Sequence, residues 1–225
     1  MHVFELPSGV EVELREMTGA EEELLTNQRL IRTGDAVNQV LRNCIVRLGD
    51  NDEPAVKDVL DLLSGDRLFI LVKLRQISLG DEVELELTCA NPACRATNLV
   101  TIDIEELETT PYGEDREFAF TLPGSGRKVQ FGYLDGHKEK RLAALKEPSI
   151  SSAMLIRIID IDGAAPSKKL MNDMSLRDRS ALRQEMLRLD AGVDTTLEVD
   201  CESCGTRIRT RLEAEPGFLF PGVRL

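Results

Sequence analysis

The sequence predicts an α+β fold built from two similar lobes, and three observations support this prediction. Two stretches that alternate apolar and polar residues, 83–88 and 196–200, run into pairs of cysteines, as the strands of half-buried hairpins do. Longer segments with apolar residues at helical spacing precede both stretches. The same order of motifs occurs twice, which divides the chain into lobes of residues 1–112 and 113–225.

Each lobe is predicted to open with a β-hairpin. The motif FELPSG of the first copy returns as FTLPGSG in the second, with one residue inserted in the turn. The recurring positions are Phe4, Leu6, Pro7, Gly9, Val12, Leu14, Met17 and Gly19 in the first copy, and Phe120, Leu122, Pro123, Gly126, Val129, Phe131, Leu134 and Gly136 in the second.

The centre of each lobe is predicted to be helical with an aliphatic core, because aromatic residues make up only 4% of the chain. Cys44 lies among apolar residues at helical spacing and is predicted to belong to this core. The repeated positions here are Leu41, Cys44, Ile45, Asp66 and Arg67, paired with Leu155, Ile158, Ile159, Asp178 and Arg179.

Each lobe ends in a hairpin with two cysteines at its tip, at about 85–104 and 197–212. Cys201 and Cys204 form a CxxC turn followed by glycine, whereas Cys89 and Cys94 are two residues further apart. Four thiolates form the closed tetrahedral shell of a structural zinc site, although they also suit iron. Because each hairpin supplies only two ligands, we expect a shared ion that joins two lobes related by a pseudo-twofold axis.

Two disulfides, or reduced thiols packed as small hydrophobes, are the alternatives to a metal site. The N-terminus lacks the pattern of a signal peptide, and no apolar run approaches the length that crosses a membrane. We therefore expect a reducing cytoplasmic setting, which favours metal over disulfides, and no membrane partner.

The charge of the chain bears on nucleic-acid binding. A net charge of −12 and a pI near 4.8 argue against contact with a phosphate backbone. Arg207, Arg209 and Arg211 nevertheless alternate along one strand, which favours a solvated face or a protein contact. A zinc-ribbon adaptor that binds nucleic acid or a transcription partner remains the alternative function.

An enzymatic function is not expected. His137 and Glu139 followed by the CxxC motif resemble the signature of zinc deaminases, but no proline precedes Cys201 and more than sixty residues separate the two parts. Four cysteines leave no open coordination position, and the chain has only two histidines. We predict no catalytic residue and no small-molecule substrate.

The full pattern resembles the T4-type baseplate proteins of contractile-tailed phages and their relatives in contractile injection systems. The motifs that carry the resemblance are Phe4 to Gly9, Gly65-Asp66-Arg67, Cys89 and Cys94, Phe120 to Pro123, Cys201 and Cys204, and Phe218 to Pro221. The resemblance implies a non-enzymatic structural or hub-assembly protein whose partners are other baseplate and tail proteins. It also implies a location in the host cytoplasm during assembly or in the finished particle. The apolar segment 218–223 is predicted to dock on a partner or on its own lobe.

Overall fold

The computed structural model describes residues 1–147, 149–212 and 216–219, and it shows an α+β protein with antiparallel strands, as predicted. The first half contains β1 (His2–Glu5), β2 (Glu11–Leu14), α1 (Gly19–Thr26), α2 (Gln28–Thr33), α3 (Ala36–Cys44), β3 (Ile45–Leu48), α4 (Val56–Asp61), α5 (Ser64–Leu79), β4 (Glu82–Thr88), β5 (Thr97–Asp103) and β6 (Thr109–Thr110). The second half contains β7 (Glu117–Thr121), β8 (Lys128–Gly132), α6 (Gly136–Ala143), α7 (Ile150–Leu155), β9 (Ile158–Ile161), α8 (Lys168–Asp173), α9 (Leu176–Leu189), β10 (Gly192–Val193), β11 (Thr196–Asp200), β12 (Arg207–Arg211) and α10 (Pro216–Leu219).

The first half holds a three-stranded antiparallel sheet in the order β1-β2-β3. Val12 pairs with Leu48 and Leu14 pairs with Ile45, so β3 carries one extra residue as a bulge. The second half holds a sheet in the order β7-β8-β9. The two sheets therefore have the same strand order.

The bulge also recurs in the second sheet. Val129 pairs with Ile161 and Phe131 pairs with Ile158, again with one extra residue on the outer strand. Ile158 therefore occupies the position of Ile45, and the sequence-based pairing of this segment was wrong by one residue. The error arose before the bulge, because the segment from Gly136 to Ile158 is four residues shorter than the one from Gly19 to Ile45, and the sequence does not show where these residues are missing.

A buried aspartate ties each opening hairpin to the long helix of its half. The Ser8 N–H donates to the Asp66 carboxylate at 2.9 Å. The Gly124 and Ser125 N–H groups donate to the Asp178 carboxylate at 2.6 and 3.1 Å. Both aspartates lie near the N-terminus of their helix, where the helix dipole favours a negative charge.

The arginine that follows each aspartate joins three helices. Each guanidinium donates to a backbone carbonyl eight residues earlier and to a polar side chain on an earlier helix. The acceptors are Val59 and Asn38 for Arg67, and Met171 and Ser151 for Arg179, at distances of 2.7 to 2.9 Å. The motif Asp-Arg therefore makes the same contacts in both halves.

The buried apolar residues form two large clusters and one small one. One large cluster lies within the second half, in residues 118–189. The other draws mainly on the first half but also includes Leu212, Phe218 and Leu219. The described part of the C-terminal segment thus packs on the first half and not on its own lobe, and the Arg75 side chain donates to the Phe218 carbonyl at 3.2 Å. Residues 220–225 of the predicted apolar tail lie outside the described residues.

Helix α6 of the second half packs on α4 and α5 of the first. The Ser64 N–H donates to the Leu134 carbonyl at 3.0 Å, and the Gly136 N–H donates to the Leu62 carbonyl at 3.2 Å. Two ion pairs and one hydrogen bond flank these backbone bonds. The ion pairs are Arg67–Glu139 at 2.7 Å and Lys140–Asp35 at 2.6 Å, and the hydrogen bond joins His137 and Asp61 at 2.9 Å.

Helix α1, which holds the corresponding place in the first half, packs instead on α3 of its own half. If a twofold axis related the halves, α1 would pack on α8 and α9 of the second half as α6 packs on α4 and α5 of the first. Among the described residues, the main contacts of α1 are with helices of its own half. The predicted pseudo-twofold relation of the lobes is therefore wrong for the helices, because only one of the two equivalent helices reaches across.

We expect Gly136→Ala to destabilise the contact between the halves. An added Cβ would lie 2.7 Å from Arg67 Nη1 and 2.8 Å from Leu60 Cα, which forces the helices apart. Overpacking of this kind costs about 1–3 kcal/mol, only partly offset by the better helix propensity of alanine. Urea unfolding at low protein concentration measures the loss, and Gly19→Ala is the matched control because its Cβ would meet open space. Equal effects of the two substitutions would contradict this account.

A second prediction concerns the fully buried Glu21, which accepts hydrogen bonds from Arg15, Thr18 and Asn43. Burial alone would raise its pKa, but these bonds lower the pKa from the ordinary 4.5 to about 2. A lowered pKa stabilises the fold above about pH 4.5, and that stability is lost as the pH falls towards 2.

We therefore expect Glu21→Gln to cost about 2 kcal/mol at pH 7 and progressively less below pH 4.5. The difference between the free energies of unfolding of the two proteins, measured from pH 7 to pH 3, checks this. The exposed neighbour Glu22, changed to Gln, should have no such effect. A cost for Glu21→Gln that does not change with pH would be inconsistent with the lowered pKa.

Candidate metal centre

Two antiparallel hairpins carry the four predicted cysteines. Strands β4 and β5 pair from Glu82 to Thr88, and β11 and β12 pair from Thr196 to Asp200. In each hairpin, side chains alternate between an inner and an exposed face, as the sequence pattern predicted. The cysteines lie in the loops that follow the last strand pairs, 89–96 and 201–206.

The first cysteine of each pair closes its loop through the backbone. The Cys89 N–H donates to the Ala96 carbonyl at 2.9 Å, and the Cys201 N–H donates to the Thr206 carbonyl at 2.9 Å. The two loops therefore begin with the same bond, although the first is two residues longer.

A local turn absorbs the longer spacing of the first pair. The Asn91 side chain accepts from the Ala93 N–H, and its carbonyl accepts from the Cys94 N–H, both at 3.0 Å. The residue after the second cysteine is left-handed in both loops, with φ of 48° at Arg95 and 68° at Gly205. Both spacings therefore end in the same backbone turn.

The structure brings all four cysteines together, with their Sγ atoms within 4.8 Å of one another. Across the two hairpins, Sγ distances are 3.7 Å for Cys89 and Cys204 and 3.9 Å for Cys94 and Cys201. Four sulfurs bound at the usual zinc–sulfur distance form a tetrahedron with edges of about 3.8 Å. The residues present fit a tetrahedral metal ion.

The same distances do not fit disulfides. All five cysteines lie among the described residues and are free thiols, and a disulfide would need sulfurs about 2.05 Å apart. Cys44 takes no part in the cluster. It is fully buried in the first core, as predicted, and burial raises the pKa of its thiol to about 12.

The protonation of the thiols differs between the two hairpins. Hydrogen bonding with the Thr206 hydroxyl and backbone lowers the pKa of Cys204 to about 6. The Asn91 backbone N–H lowers the pKa of Cys89, but burial and the neighbouring thiols outweigh this and raise it to about 12. A bound cation removes this difference, because it favours the thiolate form at all four positions.

Asn98 joins the two hairpins, and sequence reasoning missed it. Its side chain donates to the carbonyls of Leu87 and Ala96 and accepts from the Glu202 N–H at 3.0 Å. It is 2% exposed, at a position where the alternation of β5 places an inward side chain. The sequence did offer one indication of this role, which is a polar residue at an inward position of a strand.

Other candidate residues lie apart from the cluster. His137 pairs with Asp61 at the contact between the halves, so no histidine joins the cysteines among the described residues. Arg207 pairs with Asp200 at 3.2 Å, and Arg209 lies 3.4 Å from Glu198. The predicted stripe of arginines is thus largely neutralised by the facing strand.

Comparison with known proteins gives one match. The model of a family described as T4 bacteriophage base plate protein matches residues 1–214. No curated protein and no solved structure matches the chain. In the described residues, no helix has the length and apolar character needed to cross a membrane.

We expect the purified protein to contain one metal ion per chain, and Cys204→Ser to lose it. Elemental analysis gives the metal content, and the absorption of a Co²⁺-substituted sample shows whether thiolates bind the ion. Cys44→Ala is the matched control, because it removes a thiol outside the cluster and should keep the metal. Full metal content in Cys204→Ser would show that the cluster is not the binding site.

Acid should release this metal, since protons compete for the thiolates. Metal content measured after dialysis at decreasing pH is expected to fall for the wild type and for Cys44→Ala alike. Metal that stays bound after dialysis into strong acid would contradict thiolate binding.

Proposed function

Since the chain belongs to the T4 bacteriophage base plate protein family, we propose that it is a structural or assembly component of a contractile-tail baseplate. The observation that carries the proposal is the family match, which spans 1–214 of 225 residues. Family membership points to other baseplate or tail proteins as partners and to the virion tail as the location. We extend the proposal to related contractile injection systems, and to the host cytoplasm as the place of assembly.

The proposed role of the metal is to hold the two cysteine hairpins together. Zinc is the ion that four thiolates at these distances favour, although iron accepts the same ligands. Its binding free energy, on the order of 10 kcal/mol for small zinc domains, would count as folding free energy. Each hairpin supplies two of the four proposed ligands, so the ion links segments more than a hundred residues apart.

We also propose that the chain arose by internal duplication of a unit of about 112 residues. The two sheets with the same bulge support this, as do the matching contacts of Asp66 with Asp178 and of Arg67 with Arg179. The two cysteine loops with the same closing bond and the same left-handed residue give further support.

A non-enzymatic role agrees with the chemistry of the cluster. Four thiolates fill a tetrahedral shell, so a bound ion would keep no position for water or substrate. The alternative of a zinc-ribbon adaptor for nucleic acid is less well supported, because Arg207 and Arg209 already have carboxylate partners.

Deleting the gene from the phage or particle locus tests the proposed role. We expect electron microscopy to show no complete baseplates, and wild-type protein supplied in trans to restore them. Protein with Cys201→Ser and Cys204→Ser should restore fewer, whereas Cys44→Ala should restore them to the extent that it folds. Normal particles from the deletion strain would rule out the proposal.

The adaptor alternative has its own measurement. Double-stranded DNA and RNA binding is followed by fluorescence anisotropy at increasing salt, for wild type and for Arg207→Glu with Arg209→Glu. We expect no binding that weakens steeply with salt. Salt-dependent binding that the charge reversal abolishes would favour the adaptor.

A further inference from the structure

The contact between the halves uses one surface from each half. We call residues 134–139 the docked turn and residues 60–67, at the junction of α4 and α5, the occupied corner. Residues 17–22 and 172–179 hold the corresponding positions and are called the free turn and the open corner. This correspondence rests on the proposed duplication.

The docked turn fits the occupied corner through backbone and charge. Two backbone hydrogen bonds join them, from Ser64 to Leu134 and from Gly136 to Leu62. Arg67, which is 4% exposed, pairs with Glu139. The fit requires a glycine at position 136, because a Cβ there would strike the backbone of the corner.

The free turn keeps the features that this contact needs. Gly19 and Glu22 stand in the positions of Gly136 and Glu139, on one face of α1. Both are exposed, and a Cβ on Gly19 would meet nothing within 4 Å. Glycine therefore stands at a helix position where neither the backbone conformation nor the packing of this chain requires it.

The open corner keeps the complementary features. Asp178 and Arg179 make the same internal hydrogen bonds as Asp66 and Arg67. The Nε of Arg67 pairs with Glu139. Among the described residues, however, the Nε of Arg179 has no carboxylate partner. Leu176 beside it is 85% exposed, the most exposed large apolar side chain of the described residues.

We propose that the chain associates head to tail, with the free turn of one copy docked on the open corner of a second copy. In this contact the Leu176 N–H donates to the Met17 carbonyl, and the Gly19 N–H donates to the Met174 carbonyl. The Glu22 carboxylate pairs with Arg179 Nε. In these three bonds, Leu176, Gly19 and Glu22 take the places that Ser64, Gly136 and Glu139 have in the contact within the chain.

We choose a second copy as the occupant because the free turn and the open corner have the same kinds of groups as the two surfaces that are joined within the chain. The chain contains one example of the contact, formed by residues corresponding to those of the free turn and the open corner. The charges of Glu22 and Arg179 are complementary. When one such contact joins two copies, one free turn and one open corner stay unused. Further copies can then add to form a ring or a filament, unless the two unused surfaces bind each other in a closed dimer.

The open corner is more polar than the occupied one. Asn172 and Arg177 stand where the occupied corner has Leu60 and Gly65. Less apolar surface is buried in the contact between copies than in the contact within the chain. We therefore expect association that depends on concentration and is weaker than the docking of the two halves.

Sedimentation velocity of the full-length, metal-loaded protein over a wide concentration range tests this. We expect the wild type to sediment faster as concentration rises. Gly19→Ala should weaken association at least tenfold, because its Cβ would strike the backbone near Asn172 as a Cβ at 136 would strike Leu60. Glu22→Arg should do the same, and Glu105→Arg, an exposed charge reversal elsewhere, should change nothing.

Combining Glu22→Arg with Arg179→Glu in one chain should recover part of the lost association. Because Arg179 also supports its own half, thermal unfolding must show that the double variant folds. Gly19→Ala and Glu22→Arg alter only exposed positions, so they decide the question even if the double variant fails to fold.

A wild-type monomer at all concentrations, or association unaffected by Gly19→Ala, would overturn the proposal. If the pure protein is monomeric but Gly19→Ala prevents baseplate assembly in the complementation experiment, the free turn binds a different protein, and the second copy is wrong. Failure of self-association leaves the proposed baseplate role intact, because the deletion experiment tests that role by itself.

Discussion

Most of the structure depends on the hydrogen bonds that the buried Arg67 guanidinium makes. A buried positive charge is costly unless it is paired and hydrogen-bonded, and the Arg67 guanidinium has acceptors on three different helices. It lies beside Asp66, which holds the opening hairpin, and it pairs with Glu139 of the second half. One short motif thereby fixes a hairpin, three helices and the contact between the halves. A shift of the hairpin, of one of these helices or of the contact would therefore disturb the rest.

The cysteine cluster adds a second link of a different kind. The first link joins helices through buried charges, whereas the cluster joins two hairpins that bury little apolar surface at their tips. A backbone bond closes each loop, and the Asn98 side chain joins the two hairpins. The hairpins therefore bring four cysteine sulfurs together through contacts of their own.

Much of this arrangement could be predicted from the sequence, because it follows from local patterns. Alternation predicted the cysteine hairpins, and repeated spacing predicted the matching sheets and the equivalent roles of Asp66 and Asp178. Two features could not be predicted. The pairing at Ile158 was wrong by one residue, since the helical segment before it is shorter than in the first half and the sequence does not show where the residues are missing. The twofold relation failed because whether α1 or α6 crosses to the other half depends on tertiary packing, which similar helix sequences do not distinguish.

The burial of Leu212, Phe218 and Leu219 in the first core has a consequence for biosynthesis. A growing chain emerges from the ribosome with its N-terminal half first, yet the core of that half lacks these side chains until residue 219 has been added. Arg75 likewise gains the carbonyl of Phe218 only at that stage. A chain that stops before residue 212 leaves apolar surface of the first half exposed, and such surface is what chaperones and proteases recognise.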